Sequence, residues 1–348
     1  MPTKTADELS ALTRALLLAA SADERNASRM AEALVASNLC GVETHGVVHL
    51  PRYVEAINAG WIVPTEWPSL LRETPTSALV TGNWTFGHVA AKYVMEVAIE
   101  KARTQNIAVA GIVQANHIGR LGEYVELAAA NGMIGMVWAG GYGAEEPAAV
   151  PFGGRELALH TNPLSIGFPS DDGAPVMFDF ATTTWSGSKA RLAQERQEAM
   201  PPGSAVDRDG NPTTDPTDLL AGGGHVPFGG HKGYAVMVAV ELLGRMFTGT
   251  DAYADEARGG PIMRRQGVTM VAMRADLFQP LTDFTGRTSE LAGRLRAVPP
   301  APGFSEVLAP GDPERRTRAA RLRDGIPVAD DIWESLVELA TSLNVAIE

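Results

Sequence analysis

The chain has 348 residues, of which 41 are acidic and 29 basic, so its formal net charge at pH 7 is −12. A hydrophobic fraction of 45% with 20% charged residues is typical of a folded globular protein and excludes a disordered chain. The acidic balance disfavours nucleic acid as a partner, because binding phosphates requires clustered Lys and Arg.

The N-terminal residues do not have the pattern of a targeting signal. Acidic Asp7 and Glu8 precede the short apolar run 15–20, where a signal peptide would carry basic residues. No stretch reaches the roughly 18 consecutive apolar residues that a membrane span requires. The single cysteine, Cys40, excludes an intramolecular disulfide and is typical of a reducing compartment. We therefore expect a cytoplasmic protein with no membrane partner.

Hydrophobic periodicity predicts helices first and alternating elements after them. Leu9, Leu12 and Leu16 share one face of a first helix, and Ser21 followed by Glu24 predicts a capping box that opens a second helix. Strands and helices then alternate, which indicates a layered α/β core with some parallel pairing. The predicted elements of this part are a strand at 77–82, a helix at 89–102, a strand at 107–113, a helix at 123–132 and a strand at 133–139.

The second half of the chain is predicted to contain shorter strands, turns and three helices. The predicted strands are 164–168, 175–180 and 267–273, and the predicted helices are 186–197, 232–247 and 330–343. The polar segment 207–216 predicts a surface turn. We expect two parts: a helical segment of residues 1–75 with 313–348, and an α/β core of residues 76–312.

Two groups of histidines are candidates for chemistry. His45 and His49 share one face if the backbone between them is helical. A zinc site is disfavoured, because Gly46 stands where the metalloprotease pattern requires Glu, and no metal is expected. His117 directly follows the strand 107–113, where ligands of α/β sheets tend to bind, and an imidazole can act there as acid or base. Each histidine can equally be a packed side chain, and this alternative stays open.

A glycine-rich loop precedes the predicted helix 232–247. Gly229 and Gly230 lead into His231, Lys232 and Gly233, which is typical either of an anion-binding helix N-terminus or of a tight turn with a helix cap. The chain contains neither the Walker spacing nor GxGxxG, so any dinucleotide is bound without the Rossmann fingerprint. The absence of GxSxG disfavours a hydrolase.

Over residues 38–343 these segments resemble, in order, the type 2 malate/L-lactate dehydrogenase family. The segments are THGVVHLPRYVEAINAGWIVP, QANHIGRLGEYVELAAANGMIGMVWAGG, PFGGRELALHTNPLSIGFP, VMFDFAT, DGNPTTDP, PFGGHKGYAVMVAVELLG and APGDPERRTRAARLRDGIPV. The resemblance implies an α/β fold with a three-layer core and a mixed sheet, a non-Rossmann nicotinamide-binding fold like that of L-sulfolactate dehydrogenase, in a homodimer. It also implies hydride transfer between NAD or NADP and a small 2-oxo or 2-hydroxy acid, with histidine as acid/base.

The resemblance further assigns roles to individual residues. It implies that His45 is the acid/base, with His117 as its partner or alternative. The implied substrate contacts are Thr44, His49, Arg52, Thr161 and Asn162. The implied cofactor contacts are Gly141, Phe178, Asp179, Phe180, Ala181, Lys232, Gly233, Gly311 and Asp312.

This chain departs from the family pattern at three positions. Thr44 replaces serine and keeps the hydroxyl. His49 stands where members that act on carboxylates usually carry arginine, and losing a bidentate contact costs about 1.5–3 kcal/mol. Either Arg52 or Arg120 replaces that contact, or the substrate is not a simple 2-oxo acid. Gly141 lacks the hydroxyl that relatives present at this position, which predicts weaker cofactor binding.

Two other functions stay open. A cyclic imine or imino-acid reductase would tolerate a weaker grip on a carboxylate. A binding protein that kept the fold and lost the activity is the non-enzyme alternative. The preference between NADH and NADPH is also open, because the family lacks the acidic residue that reads the ribose in Rossmann domains.

Overall fold

The computed structural model describes residues 1–347, apart from the side chain of Ser188. Its helices are α1 (Ala6–Ala19), α2 (Glu24–Leu39), α3 (Leu50–Asn58), α4 (Gly87–Gln105), α5 (Gly122–Ala130), α6 (Gly187–Glu195), α7 (Pro216–Leu220), α8 (His231–Glu241), α9 (Gly260–Met263), α10 (Leu281–Arg296), α11 (Asp312–Asp324) and α12 (Asp330–Ser342). Its strands are β1 (Thr3–Lys4), β2 (Ser69–Thr74), β3 (Ser77–Thr81), β4 (Ile107–Val113), β5 (Met133–Gly140), β6 (Leu164–Phe168), β7 (Val176–Phe180), β8 (Ala205–Val206), β9 (Pro212–Thr213), β10 (Gly224–His225), β11 (Gly267–Arg274) and β12 (Ile326–Pro327). The chain also forms 3-10 turns at Glu43–His45, Val47–His49 and Thr250–Tyr253, and a π-helical turn at Leu242–Met246.

Seven strands form one mixed sheet in the order β2-β3-β4-β11-β5-β6-β7. Within residues 1–347, β3 and β4 are the one parallel pair of this sheet, and α4 is the crossover between them. The unit β4-α5-β5 also runs in one direction, as the alternating pattern predicts. However, β11 is inserted between its two strands and pairs antiparallel with both. Most neighbouring strands are therefore antiparallel.

Helices cover both faces of the sheet. On one face α4 and α5 pack against a core that includes Ala110 and Val137. On the other face the segment after α8 lies directly on the strands. A side chain at Gly140 or Gly267 would collide with the backbone of this segment near Gly244. The predicted three-layer α/β core with a mixed sheet is confirmed.

The helices of both termini form a second core beside the sheet. Leu16, Leu34, Leu50 and Leu336 come from α1, α2, α3 and α12 and are buried together, with Phe86 joining them from the start of α4. The strands β1 and β12 pair antiparallel and tie the two ends of the chain to each other. The division into 1–75 with 313–348 and 76–312 stays a prediction. No helix among the described residues is long and apolar enough to cross a membrane.

Two local predictions need correction. Ser21 does not cap α2: its φ is +69°, and the Asp23 carboxylate accepts the Asn26 N–H at 2.7 Å. Aspartate two residues later is an equally good cap, and only the observed backbone distinguishes the two. The second omission is β2, which pairs with β3 at the sheet edge. All six of its residues are exposed, so it lacks the alternation in burial that predicts a strand.

Candidate active site

Three histidines from two distant parts of the chain meet beside the end of β4. His45 and His49 lie on the paired 3-10 turns before α3, and His117 lies in the loop after β4. The His117 ring centroid is 5.6 Å from that of His45 and 5.0 Å from that of His49, and the last two are 6.4 Å apart. The structure thus brings together both implied acid/base residues and one implied substrate contact, although the backbone at 45–49 is not one continuous helix.

Close packing fixes the backbone that carries His45 and His49. The Asn38 side chain at the end of α2 accepts the Val47 N–H at 2.9 Å. Gly46 lies so close to the Asn38 amide that any side chain would overlap it. The glycine between the two turns is therefore required sterically.

The His117 loop is held from two sides. The Asn116 amide donates to the carbonyl oxygens of Trp84 at 2.9 Å and Thr85 at 3.0 Å. The Gln266 amide donates to the Asn116 carbonyl oxygen at 2.9 Å. The amide side chain and the carbonyl oxygen of buried Asn116 are therefore both paired, which fixes the residue next to His117.

Each ring of the cluster has one nitrogen bonded within the protein. His45 Nδ1 lies 3.1 Å from the Thr44 hydroxyl, and His49 Nε2 lies 2.7 Å from the Thr44 carbonyl oxygen. His117 Nδ1 lies 2.8 Å from the Tyr53 hydroxyl. The other nitrogen of each ring has no partner among the described residues and is not sealed from solvent. Three neighbouring rings therefore each keep one nitrogen without a protein partner.

Tyr53 was missed by sequence reasoning. It lies in α3 four residues after His49, the residue that precedes this helix, so helical spacing was the available signal. Its ring lies 6.3 Å from that of His117 and 5.8 Å from that of His88, which lies beneath the cluster. Both ring nitrogens of His88 are buried without a partner, so His88 serves as packing under the site.

Burial keeps the cluster neutral. It lowers the pKa of His45 to about 4, and it lowers the pKa of His49 as well. Burial also lowers the pKa of His117 well below its usual value, and the nearby imidazoles add to the effect. Among the described residues no carboxylate is hydrogen-bonded to these three rings. An anion bound here would therefore raise the pKa of the rings and favour their protonation.

The two candidate arginines differ in burial and in whether their guanidinium groups are paired with a carboxylate. Arg120 is buried and donates two hydrogen bonds to the Glu126 carboxylate, at 3.0 and 2.5 Å. Arg52 is exposed, and its charge is close enough to lower the pKa of both His49 and His117. The described part of the chain offers Arg52 no carboxylate partner. Of the two, Arg52 is the guanidinium that is available to an anion.

Tyr142 connects the histidine cluster with the loop of Thr161 and Asn162, because its ring lies 6.5 Å from that of His117 and 4.4 Å from that of His160. Glu241 accepts the Gly141 N–H at 2.8 Å and the Asn162 amide at 2.7 Å. The Asn162 amide thus holds the loop together. The Thr161 carbonyl oxygen likewise accepts two bonds from Thr182, at 2.8 and 2.9 Å, while the Thr161 hydroxyl lies 3.3 Å from His160 Nδ1.

The implied cofactor residues lie along the edge strand β7 and the loops at its two ends. Phe178 and Phe180 stack at 4.9 Å, and Phe180 is 41% exposed. The Phe180 ring lies 5.6 Å from that of Phe228, which precedes Lys232 and Gly233 at the start of α8. At the other end of β7 the Met177 N–H donates to the Pro310 carbonyl oxygen at 3.3 Å, which places Gly311 and Asp312 beside the strand. Ala181 continues the strand.

The carboxylates of Asp312 and Asp179 are hydrogen-bonded to other groups of the protein. Asp312 accepts hydrogen bonds from Arg296 at 2.8 and 2.7 Å, which lower its pKa to about 2. Asp179 accepts the Gly122 N–H at the start of α5 at 2.7 Å, and burial raises the pKa of its carboxyl to about 6. This bond links β7 to the segment that follows His117.

The surroundings of α8 fit an elongated anionic ligand. The sequence PFGG occurs twice, at 151–154 and 227–230, and both copies line one cavity of about 480 Å³. Gly229 has a φ of +59° with open space around it, so the backbone there is accessible. Lys232 is exposed at the helix N-terminus, which favours anions. The described residues contain no group of three or more His, Cys, Asp or Glu side chains suited to a metal ion.

The whole chain is similar to proteins of one family. The sequence profile of malate/L-lactate dehydrogenase matches residues 5–337. The chain is 35% identical over 347 residues to the L-lactate dehydrogenase of Cupriavidus necator, which covers 97% of this chain and 96% of that protein. Its fold is similar to that of the sulfolactate dehydrogenase of Methanocaldococcus jannaschii, with a TM-score of 0.89, 32% identity and coverage of 99% and 98%. It is also similar to Δ1-piperideine-2-carboxylate reductase of Pseudomonas syringae, with a TM-score of 0.85, 28% identity and coverage of 98% and 100%.

Proposed function

The chain belongs to the malate/L-lactate dehydrogenase family, and on that premise we propose that it transfers hydride between a nicotinamide dinucleotide and a small 2-oxo or 2-hydroxy acid. The observation that carries this proposal is the joint position of His45, His117 and Arg52. Two imidazoles with open nitrogens lie 5.6 Å apart by their centroids, next to a free guanidinium. A carbonyl compound with an adjacent carboxylate matches this pairing of proton donors and cation.

Each residue of the site has a separate role in the proposed reaction. Arg52 binds the substrate carboxylate through charge-assisted hydrogen bonds. The bound anion raises the pKa of the neighbouring rings, so a proton becomes available at Nε2 of His45 or His117. In reduction that proton goes to the substrate oxygen, and in oxidation the same nitrogen takes it back. Thr44 and Tyr53 keep the two rings oriented throughout.

The proposed cofactor site extends along β7. Phe178 and Phe180 offer flat apolar surfaces, and Lys232 with the first N–H groups of α8 would hold phosphate oxygens. The nicotinamide supplies the hydride chemistry when it is bound. The Asp179–Gly122 bond supports the proposal, because it fixes this strand relative to the segment that carries His117.

A fluorescence titration with NADH and, separately, with NADPH is the first test. Binding quenches or shifts the nicotinamide emission, and the tighter of the two identifies the preferred cofactor. Failure of both to bind would contradict the proposal and favour the alternative that the chain kept the fold without the activity. A positive result is followed by assays of 2-oxo acids.

Arg52→Gln tests the carboxylate contact. A hydrogen bond to a charged group contributes about 1.5–3 kcal/mol, so kcat/KM for a 2-oxo acid should fall about 10- to 150-fold, mainly through KM. Arg208→Gln removes an exposed arginine from the β8–β9 hairpin and should behave like the wild type. An unchanged KM in Arg52→Gln would mean that another group holds the carboxylate.

Reduction of a cyclic imine is the second candidate, favoured by the similarity to the piperideine-2-carboxylate reductase. Such a substrate also carries one carboxylate, and the proton from histidine would go to nitrogen rather than to oxygen. Assaying Δ1-piperideine-2-carboxylate beside pyruvate separates the two reactions. A kcat/KM at least ten times higher for the imine would make imine reduction the better description.

We also propose that the protein is a homodimer. Leu242, Met246 and Phe247 lie within six residues of one another after α8, and their side chains are 53%, 52% and 66% exposed. Clustered exposed apolar side chains mark association surfaces in soluble proteins. Light scattering should give twice the chain mass of 36.9 kDa, and a value equal to that mass would contradict the dimer.

A further inference from the structure

His49 differs from its neighbours in the kind of partner it has. Its Nε2 lies 2.7 Å from the carbonyl oxygen of Thr44, and a carbonyl oxygen can only accept a hydrogen bond. The ring proton of neutral His49 must therefore be on Nε2. Burial and the charge of Arg52 lower the pKa of His49 and keep the ring neutral, so its Nδ1 is an unprotonated acceptor.

The free nitrogen of His49 belongs to a ring at the centre of the candidate active site. Nδ1 has no protein partner and is not sealed from solvent. The ring lies 5.0 Å from His117, 6.4 Å from His45 and 5.8 Å from Tyr53. A substrate that reaches the two proposed acid/base residues also reaches this acceptor.

The charges around the site limit what a substrate can carry. Arg52 is the available cation beside His49 and His117, because the Arg120 guanidinium is bound to Glu126. The charge of Arg191 acts on Tyr142 and not on these two rings. One guanidinium binds one carboxylate. A second carboxylate placed beside His49 would meet the lone pair of Nδ1, so it would give up its hydration and would first have to draw a proton onto that nitrogen, a cost that a hydroxyl or N–H group does not incur.

We propose that His49 determines specificity by accepting a hydrogen bond from a hydroxyl or N–H group of the substrate, so that the preferred substrates are monocarboxylates with such a donor next to the reacting carbon. This inference rests on the function proposed above and names its substrate class. The donor pairs with Nδ1, a methyl group leaves Nδ1 unpaired, and a carboxylate can pair with Nδ1 only after that nitrogen has taken up a proton.

Three acids that differ at one position test the inference. Hydroxypyruvate carries a hydroxyl at C3, pyruvate carries a hydrogen and oxaloacetate carries a carboxylate. In the wild type we expect kcat/KM to fall in that order, with at least a tenfold difference between the first and the last. Equal values, or a preference for oxaloacetate, would overturn the inference.

Matched variants separate a specific contact from a structural role. His49→Leu removes the acceptor and should bring the ratio of hydroxypyruvate to pyruvate to about one. His49→Gln keeps one donor for the Thr44 carbonyl oxygen and one acceptor for the substrate, so it should retain most of the preference. His49→Arg supplies a second guanidinium and should shift the preference towards oxaloacetate. A ratio that is unchanged in His49→Leu contradicts the proposed contact.

Two readouts do not depend on turnover. Nitrogen-15 NMR of labelled histidines should show the His49 ring neutral with its proton on Nε2, and the loss of this signal in His49→Gln assigns it. A proton on Nδ1 of His49 at pH 7.5 would overturn the inference. If none of the acids is turned over, the proposed function fails, and their dissociation constants from calorimetry still decide the inference. No difference in these constants between wild type and His49→Leu overturns it.

Discussion

The partners of the three histidines differ in whether they can reverse their role. The hydroxyls of Thr44 and Tyr53, which contact His45 and His117, can donate or accept a hydrogen bond. Each of these rings can therefore lose or gain a proton on its open nitrogen while its bond to the protein persists. The carbonyl partner of His49 cannot reverse. In the neutral state His45 and His117 can therefore present either a lone pair or a proton at the open nitrogen, whereas His49 presents a lone pair at Nδ1.

His45→Ala tests the proposed proton transfer. Turnover should fall at least about 10²-fold, the usual scale for loss of a general acid or base. Cofactor binding, followed by nicotinamide fluorescence, should remain because His45 is distant in sequence and contact from β7. Thr44→Val keeps the His45 imidazole and removes the hydroxyl that contacts it. The turnover of this variant should lie between that of the wild type and that of His45→Ala. Full turnover in His45→Ala would exclude His45 from the mechanism, and the same substitution at His117 would then be the next test.

The sequence was sufficient to name these histidines but not to choose between the arginines. Family resemblance pointed to His45, His49 and His117, and the structure brings them together. Arg52 was the implied substrate contact and Arg120 stayed open as its alternative, because the pairing of Arg120 with Glu126 bridges six residues around the start of α5 and follows no helical spacing. Such contacts depend on how a loop enters a helix, which residue spacing does not encode.

At the scale of elements, glycines decide how closely the layer of α8 approaches the sheet. The helix predicted at 232–247 is interrupted by the π-helical turn at Leu242–Met246, which places Gly244 against Gly140 and Gly267. Three glycines from separate parts of the chain make this contact, so no local pattern predicts it. Just before the turn, Glu241 holds the loops of Gly141 and Asn162. π-helical turns inside helices are frequent near functional sites.

Gly141→Ser tests whether the missing hydroxyl can be restored. Gly141 has a φ of +73°, and a Cβ there would overlap the Arg265 carbonyl oxygen. We expect the substitution to lower the free energy of unfolding by at least about 2 kcal/mol, from backbone strain and steric overlap, without tighter cofactor binding. Urea denaturation measures the first effect and fluorescence titration the second.

A matched control for this prediction lies in α10. Gly293 has an ordinary helical backbone and no atom within 4 Å of an added Cβ. Gly293→Ser should change the free energy of unfolding by less than about 1 kcal/mol. Gly141→Ser could instead be as stable as this control and bind the cofactor more tightly. The fold would then not require Gly141, and the glycine would only weaken cofactor binding.

Most elements of the core could be predicted, whereas their arrangement could not. Apolar runs such as 107–113 and 133–140 have the length and β-branched content of buried strands, and both are strands in the structure. The insertion of β11 between β4 and β5 joins residues more than a hundred positions apart. It depends on the complementarity of whole faces, and local periodicity carries no information about it.

At the scale of the whole molecule, the described residues contain more buried histidines with a lowered pKa than buried carboxyl groups with a raised pKa. Burial lowers the pKa of His45, His49, His88, His117 and His160. The folded protein therefore resists taking up protons that the unfolded chain accepts below pH 6.5. The raised pKa of the Asp179 carboxyl acts in the opposite direction, since it costs stability as the pH rises from 3.8 to about 6.

These shifts predict a protein that loses stability in mild acid. The contribution of each histidine is complete above pH 6.5 and is lost as the pH falls towards its folded-state pKa, which is about 4 for His45 and His160. At about 1.4 kcal/mol per pKa unit each of these two costs at most roughly 3 kcal/mol, against a total stability of about 5–15 kcal/mol. The free energy of unfolding in urea should therefore be several kcal/mol lower at pH 5 than at pH 7.5. His160→Gln, which cannot be protonated, should reduce that difference, and an unchanged difference would mean that His160 is charged in the folded protein.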